Sequence, residues 1–262
     1  MAASLLAHAH YAWLVTASLL AGGVNAVASG GSFLSFPAML AMGVAPVQAN
    51  ATNTVAIWPG QLTSVFALRG DLRKDLLTVA VLCAITGGVG GAEILLHTPQ
   101  SLFLNILPWM ILAATVLFLF AGRISAWLKR GAAHADAERP VSMLGLTAML
   151  LPVCLYVGYF GAGGGLLIMA TLGVLGVESM RELNSMKVLV ACIANLSAVV
   201  TFIARHAVAW HYCIVAMLFA GLGGYVGARY ARRLPAAAMR AMVIAVGFAV
   251  SGWFFWVAHT RT

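Results

Sequence analysis

Charge is scarce in this chain. Of 262 residues only 8% are charged, with 15 Lys and Arg against 7 Asp and Glu. A water-soluble domain of this length could not cover its surface with so few charges, which removes soluble enzymes and soluble binding modules from consideration. Cysteines number four, and Cys83, Cys154, Cys192 and Cys213 all fall inside apolar runs without ligand-like spacing. They are expected as free thiols packing as small apolar groups, not as a disulfide framework or a zinc site.

Motifs for chemistry are lacking too. The sequence has no His-Glu-x-x-His, no Gly-x-Ser-x-Gly and no paired carboxylates within an apolar run, so no catalytic residue is expected. His8, His10, His134, His206, His211 and His259 sit in tails or loops and form no metal cluster; no metal or other cofactor is expected. Glu93 and His97 lie one turn apart near the end of a run, where they could relay a proton, although ordinary interfacial solvation accounts for the pair. The net charge of +8 is spread over short loops and carries no nucleic-acid meaning.

What is present is apolar length. Hydrophobic residues make up 62% of the chain, in helix-length runs separated by short polar connections. Sheet barrels alternate over short segments, so the spans are read as helices in an all-α polytopic membrane protein embedded in a lipid bilayer. Membrane segments are expected at 11–28, 33–42 (short), 48–68, 76–97, 102–122, 141–160, 166–175 (short), 182–204, 209–231 and 236–258. No basic residue precedes the first run, unlike a secretory signal, so that run is expected to stay in the fold. The basic linker 123–140 divides the chain into a first transmembrane repeat, 1–122, and a second, 141–262.

Two glycine-rich breaks occupy matching places in these halves. Ser29-Gly30-Gly31-Ser32 precedes one short run, and Gly161 to Gly165, with Ala162 inside it, precedes the other. Each short run ends in a Gly-Val pair, Gly43-Val44 and Gly176-Val177, at an offset of 133. Ten helical residues cover about 15 Å, half of a hydrocarbon core about 30 Å thick. Each short run is therefore expected to return to the side it came from, forming a broken, re-entrant hairpin. With the loop at 69–75 in the cytoplasm, almost all Lys and Arg fall inside, leaving Arg205 and Arg261 outside. The two repeats then have inverted topology, and both termini are periplasmic.

A helix that starts inside the bilayer presents unpaired N–H groups and the positive end of its dipole, which suits an anion. Paired interruptions in two halves are a transporter pattern. The candidate substrate-binding residues are Ser29, Gly30, Gly31, Ser32, Asn50, Thr52, Asn53, Gly163, Gly164, Gly165, Asn184, Ser185 and Lys187. Asn50, Thr54 and Gln61 share one helical face, and Asn184, Lys187 and Asn195 share another. Two readings stand for Lys187: contact with substrate, or a snorkel back to the cytoplasmic headgroups. Gly87, Gly88, Gly90 and Gly91, and Gly221, Gly223, Gly224 and Gly227, lie inside continuous runs and are read as close helix packing.

The chain also resembles the TauE/SafE sulfite exporter family. The resemblance rests on the glycine turn followed by Phe33 and Pro37, on Gly43-Val44 and on Ala49-Asn50-Ala51-Thr52. These are repeated as Gly161 to Gly165, Gly176-Val177 and Asn184-Ser185-x-Lys187. It covers about 11–255, and the second copy departs by having Ala170 where the first has Pro37. What the resemblance implies is a bacterial inner-membrane transporter of a small anion, often a sulfur-containing one such as sulfite, thiosulfate or an organosulfonate. A co-transported proton or other ion is compatible with this reading, and no oligomeric state follows. An anion channel using the same helix ends, or a membrane scaffold, are the competing readings.

Overall fold

The computed structural model describes the chain apart from residues 1, 29, 69–71, 135–141, 178, 231–235 and 261–262. Among the described residues there are ten helices and no strand. They are α1 (Ala2–Ala28), α2 (Ser32–Ala41), α3 (Pro46–Leu68), α4 (Lys74–His97), α5 (Gln100–His134), α6 (Met143–Tyr159), α7 (Gly164–Val174), α8 (Met180–Ala204), α9 (Trp210–Tyr230) and α10 (Ala236–Thr260). Most boundaries fall within a few residues of those expected. The exceptions are α1, which starts near the amino terminus, and α5, which continues through His134 and makes the first part of the 123–140 linker helical.

Among the described residues, Lys74–His97, Gln100–Ile124, Met180–Ala204 and Trp210–Gly227 are long and apolar enough to cross a membrane. Ser32–Ala41 and Gly164–Val174 are apolar but much shorter. Sequence chemistry sets the ends of these elements. Ser142 and Ser179 accept the backbone N–H of Gly145 and Glu182, capping α6 and α8. The short helices end alike, on Gly43 at φ 78° and Gly176 at φ 92°, the left-handed turn that glycine adopts without a Cβ penalty. After α7 the Val177 N–H reaches Leu172 O and the Gly176 N–H reaches Gly173 O, which satisfies the last carbonyls.

Helices of the two halves interlock. The first helix of each half packs on the fourth of the other: α1 on α9 and α6 on α4. Glycines permit both contacts. A Cβ on Gly223 would overlap the Leu19 carbonyl, one on Gly22 that of Ala220, and one on Gly91 that of Leu155. Glycine packing was legible in the sequence for this reason, although Gly221 meets nothing within 4 Å. The offset of 133 relates these contacts, since Gly22 corresponds to Leu155 and Gly224 to Gly91. Exchanging α1–α5 for α6–α10 carries several other contacts onto contacts, such as α3 with α9 onto α8 with α4.

Two apolar cores result. One is built from α4, α6, α7 and α8, with Leu76, Leu146, Leu150, Ile168, Leu172 and Val190 fully buried. The other centres on α1, α2, α3 and α9 and extends to α5 and α10. Between α4 and α8 the ion pairs Arg73–Glu182, 3.8 Å, and Arg205–Glu93, 2.9 Å, close opposite ends, so these helices run parallel. α5 and α10 pack together through Trp109 on Phe255 and a hydrogen bond from Ser251 Oγ to Pro108 O, 2.9 Å.

Candidate functional site at the two helix breaks

The loop between α6 and α7 is tied to itself. Tyr156 O accepts the N–H groups of Phe160 and Gly161, at 2.9 and 3.2 Å, and the Tyr156 hydroxyl donates to Ala162 O at 2.6 Å. Gly163 caps α7 at φ 76°, which turns the chain so that α7 starts inside the protein. At the other break Gly31 caps α2, and its carbonyl accepts from Leu34 and Ser35 at 3.0 and 3.2 Å. The Ser35 hydroxyl donates to Asn53 Oδ1, 2.5 Å, and pins α2 to α3.

A cavity of about 90 Å³ joins the two breaks. That is well above the roughly 10–15 Å³ needed for one water, so a small polyatomic ion can be accommodated. Gly30 and Ser32 line it from the first break, and Gly161, Ala162, Gly163 and Gly165 from the second. Ser32 and Gly165 are separated by 133 residues and both sit in the first turn of a short helix. Among the described residues neither of their N–H groups has a backbone acceptor. Lys187 completes the wall from α8, its Nζ donating to Asn184 Oδ1 at 3.0 Å. No Asp or Glu lines the cavity among the described residues.

Of the residues singled out in the sequence, Gly30, Ser32, Gly163, Gly165 and Lys187 meet in this cavity. Ser29 lies outside the described residues. Gly31 and Gly164 do not line it; a Cβ on Gly31 would meet Ala21 and Asn25, and one on Gly164 would meet Val157. Asn184 serves Lys187 and also donates to Met180 O, 2.8 Å. Ser185 is buried on α8, and its hydroxyl has no partner among the described residues.

The start of the polar face of α3 braces the fold, whereas Gln61 further along it lines the cavity. Asn50 Nδ2 donates to Tyr159 O, 2.9 Å, holding the tip of the α6–α7 hairpin, and Thr52 Oγ1 accepts the Ala209 N–H, 3.0 Å, at the start of α9. Asn50 and Asn53 border a separate crevice of about 10 Å³, closed in by Phe36 and Phe160. Three cavity residues with polar side chains lie outside the candidate set: Asn25, Gln61 and Asn195. The last two carried a signal, since each shares a helical face with candidates. Asn25 is a lone amide in an apolar run just ahead of the first break.

Comparison with known proteins decides the family. The family model described as Sulfite exporter TauE/SafE matches residues 14–254. The chain belongs to the TauE/SafE family. Similar proteins include a "Probable membrane transporter protein ORF9" from a Sinorhizobium species, 28% identical with 92% of this chain and 90% of the relative covered. Another is "Probable membrane transporter protein YfcA" from Escherichia coli K12, 24% identical, covering 92% and 88%. A "Probable membrane transporter protein" from Haemophilus influenzae is 25% identical, covering 92% and 95%. No solved structure matches. This TauE/SafE protein is thus a multi-pass membrane transporter.

Proposed function

We propose that the protein is a secondary transporter of a small anion, with sulfite, thiosulfate or an organosulfonate as the substrate class, bound in the cavity between the two helix breaks. The observation that carries this reading is the meeting of Ser32 and Gly165, equivalent residues with donor-bearing helix starts, beside Lys187, the one lining cation among the described residues. Two positive dipole ends and an ammonium, with no lining carboxylate among the described residues, favour negative charge.

The two halves are proposed as repeats of inverted topology. Parallel packing of α4 with α8, and the exchange of α1 and α6 between halves, support it. The bundle end bearing Arg73, Lys74 and Arg181 is taken as cytoplasmic by its basic residues, which puts both termini in the periplasm of a bacterial inner membrane. The cavity is bordered by exposed Gly60 and half-buried Gln61 and Lys187, whereas Phe36, Phe160, Asn50 and Asn53 on its other side are buried. This arrangement corresponds to access from the cytoplasmic end. Rocking one half on the other would open the opposite end, with a proton or another ion as a candidate coupling partner.

Uptake of labelled sulfite and thiosulfate into proteoliposomes tests the reading. Saturable flux that an unlabelled oxyanion competes away is expected. Flux that stays linear with concentration, or a steady anion conductance, would contradict carriage by alternating access.

A further inference from the structure

Part of the cavity wall is made of two amides, Gln61 of α3 and Asn195 of α8, whose orientation the backbone dictates. Asn195 is buried on α8, and its Nδ2 lies 3.0 Å from Ala191 O and 3.0 Å from Gln61 Oε1. A backbone carbonyl only accepts, so the atom facing Ala191 must be the Asn195 nitrogen. Its second N–H then goes to Gln61, which therefore turns its oxygen toward Asn195. The Gln61 Nε2 is left with two N–H groups and has no partner among the described residues. Asn195 Oδ1 faces the second break, where a Cβ on Gly161 would stand 3.5 Å from it.

We infer that Gln61 is a substrate-contacting residue, held by Asn195 so that its Nε2 donates into the cavity, and that it selects oxyanions over halide. This rests on the anion site proposed above. An ammonium attracts any anion, but a carboxamide N–H is directional and is best met by an oxygen with lone pairs placed toward it. Gln61 then supplies the neutral, geometric half of recognition, Lys187 the charge, and Asn195 acts as a positioning residue through Gln61. An acidic neighbour would abolish the arrangement, and the lining contains none among the described residues.

The test is isothermal titration of the full-length, detergent-purified protein with sulfite, sulfate, thiosulfate, taurine and chloride. Gln61→Leu should weaken binding of the preferred oxyanion about tenfold or more while changing chloride little, the scale of one hydrogen bond to a charged group. Gln61→Glu keeps the Asn195 bond but turns a carboxylate oxygen toward the cavity, and should also lose oxyanion binding; it carries the test should the leucine variant not fold. Asn195→Leu should weaken binding less, and adding it to Gln61→Leu should cause no further loss, because the two act as a unit. Wild-type affinity in both Gln61 variants, with binding lost in Lys187→Met, would overturn the role of Gln61 and leave the anion site standing. Additive losses in the double variant would overturn positioning by Asn195. A wild-type protein that binds none of the five would overturn both.

Discussion

Gly165 rests against the stem of Lys187: a Cβ at position 165 would stand 3.6 Å from Lys187 Cδ and 3.7 Å from its Cγ. This is ordinary van der Waals contact, so the start of α7 and the cavity's cation are neighbours without being jammed. The adjacent Gly164 differs, because a Cβ there would overlap Val157 Cγ2, which belongs to a stiff β-branched side chain.

The pair gives a contrasting prediction. Gly165→Ala should fold like the wild type but weaken anion binding, since the new methyl occupies cavity wall. Gly164→Ala should lower the thermal midpoint, by an overpacking cost of about 1–3 kcal/mol. Melting curves and anion titration of both variants check it; equal stability of the two would contradict the packing described.

Helix contact between the halves makes a second prediction. Gly91→Ala and Gly223→Ala each drive a methyl into a backbone carbonyl, of Leu155 and Leu19, so α4 must separate from α6 and α9 from α1. Both should destabilise by several times the effect of Gly221→Ala. At Gly221 nothing lies within 4 Å, and alanine is a better helix former by about 0.8–1 kcal/mol, so that variant should be neutral or slightly stabilised. Detergent melts of the three variants rank them.

A third prediction concerns the ends of the short helices. Gly43 and Gly176 hold positive φ with open space around them, so alanine is opposed there by backbone strain alone. Gly43→Ala and Gly176→Ala should each cost about 1–2 kcal/mol, and by similar amounts. A large cost at one and none at the other would show that the two turns do unlike jobs.

How far the sequence could be read depended on the kind of physics involved. The helices were legible because apolar length is a local property, and the breaks were legible because Gly30, Gly31 and Gly161 to Gly165 interrupt it. Helix α7 starts at Gly164, inside the glycine run and two residues ahead of the expected 166, and the short helices end at the Gly-Val pairs, where Gly43 and Gly176 take positive φ. The partner of each residue was not legible. Asn50 and Asn53 are carboxamides like Asn195 and Gln61, yet the first two brace the hairpins while the last two line the cavity. Nothing in the local pattern distinguishes a carboxamide that meets a carbonyl from one that meets a cavity. The crossing of α1 to α9 and of α6 to α4 decides it, and that arises from long-range packing.

Anion binding by Lys187 and the two helix starts is the central property proposed for this protein. The most direct measurement is thermal stabilisation of the purified wild type and of Lys187→Met over a titration of sulfite, thiosulfate, taurine, sulfate and chloride. The account predicts a saturating rise in the wild-type midpoint with a sulfur oxyanion, and a loss of that rise in Lys187→Met while its ligand-free midpoint stays close to wild type. A folded wild type that no anion stabilises, or a variant stabilised as fully as the wild type, would contradict it.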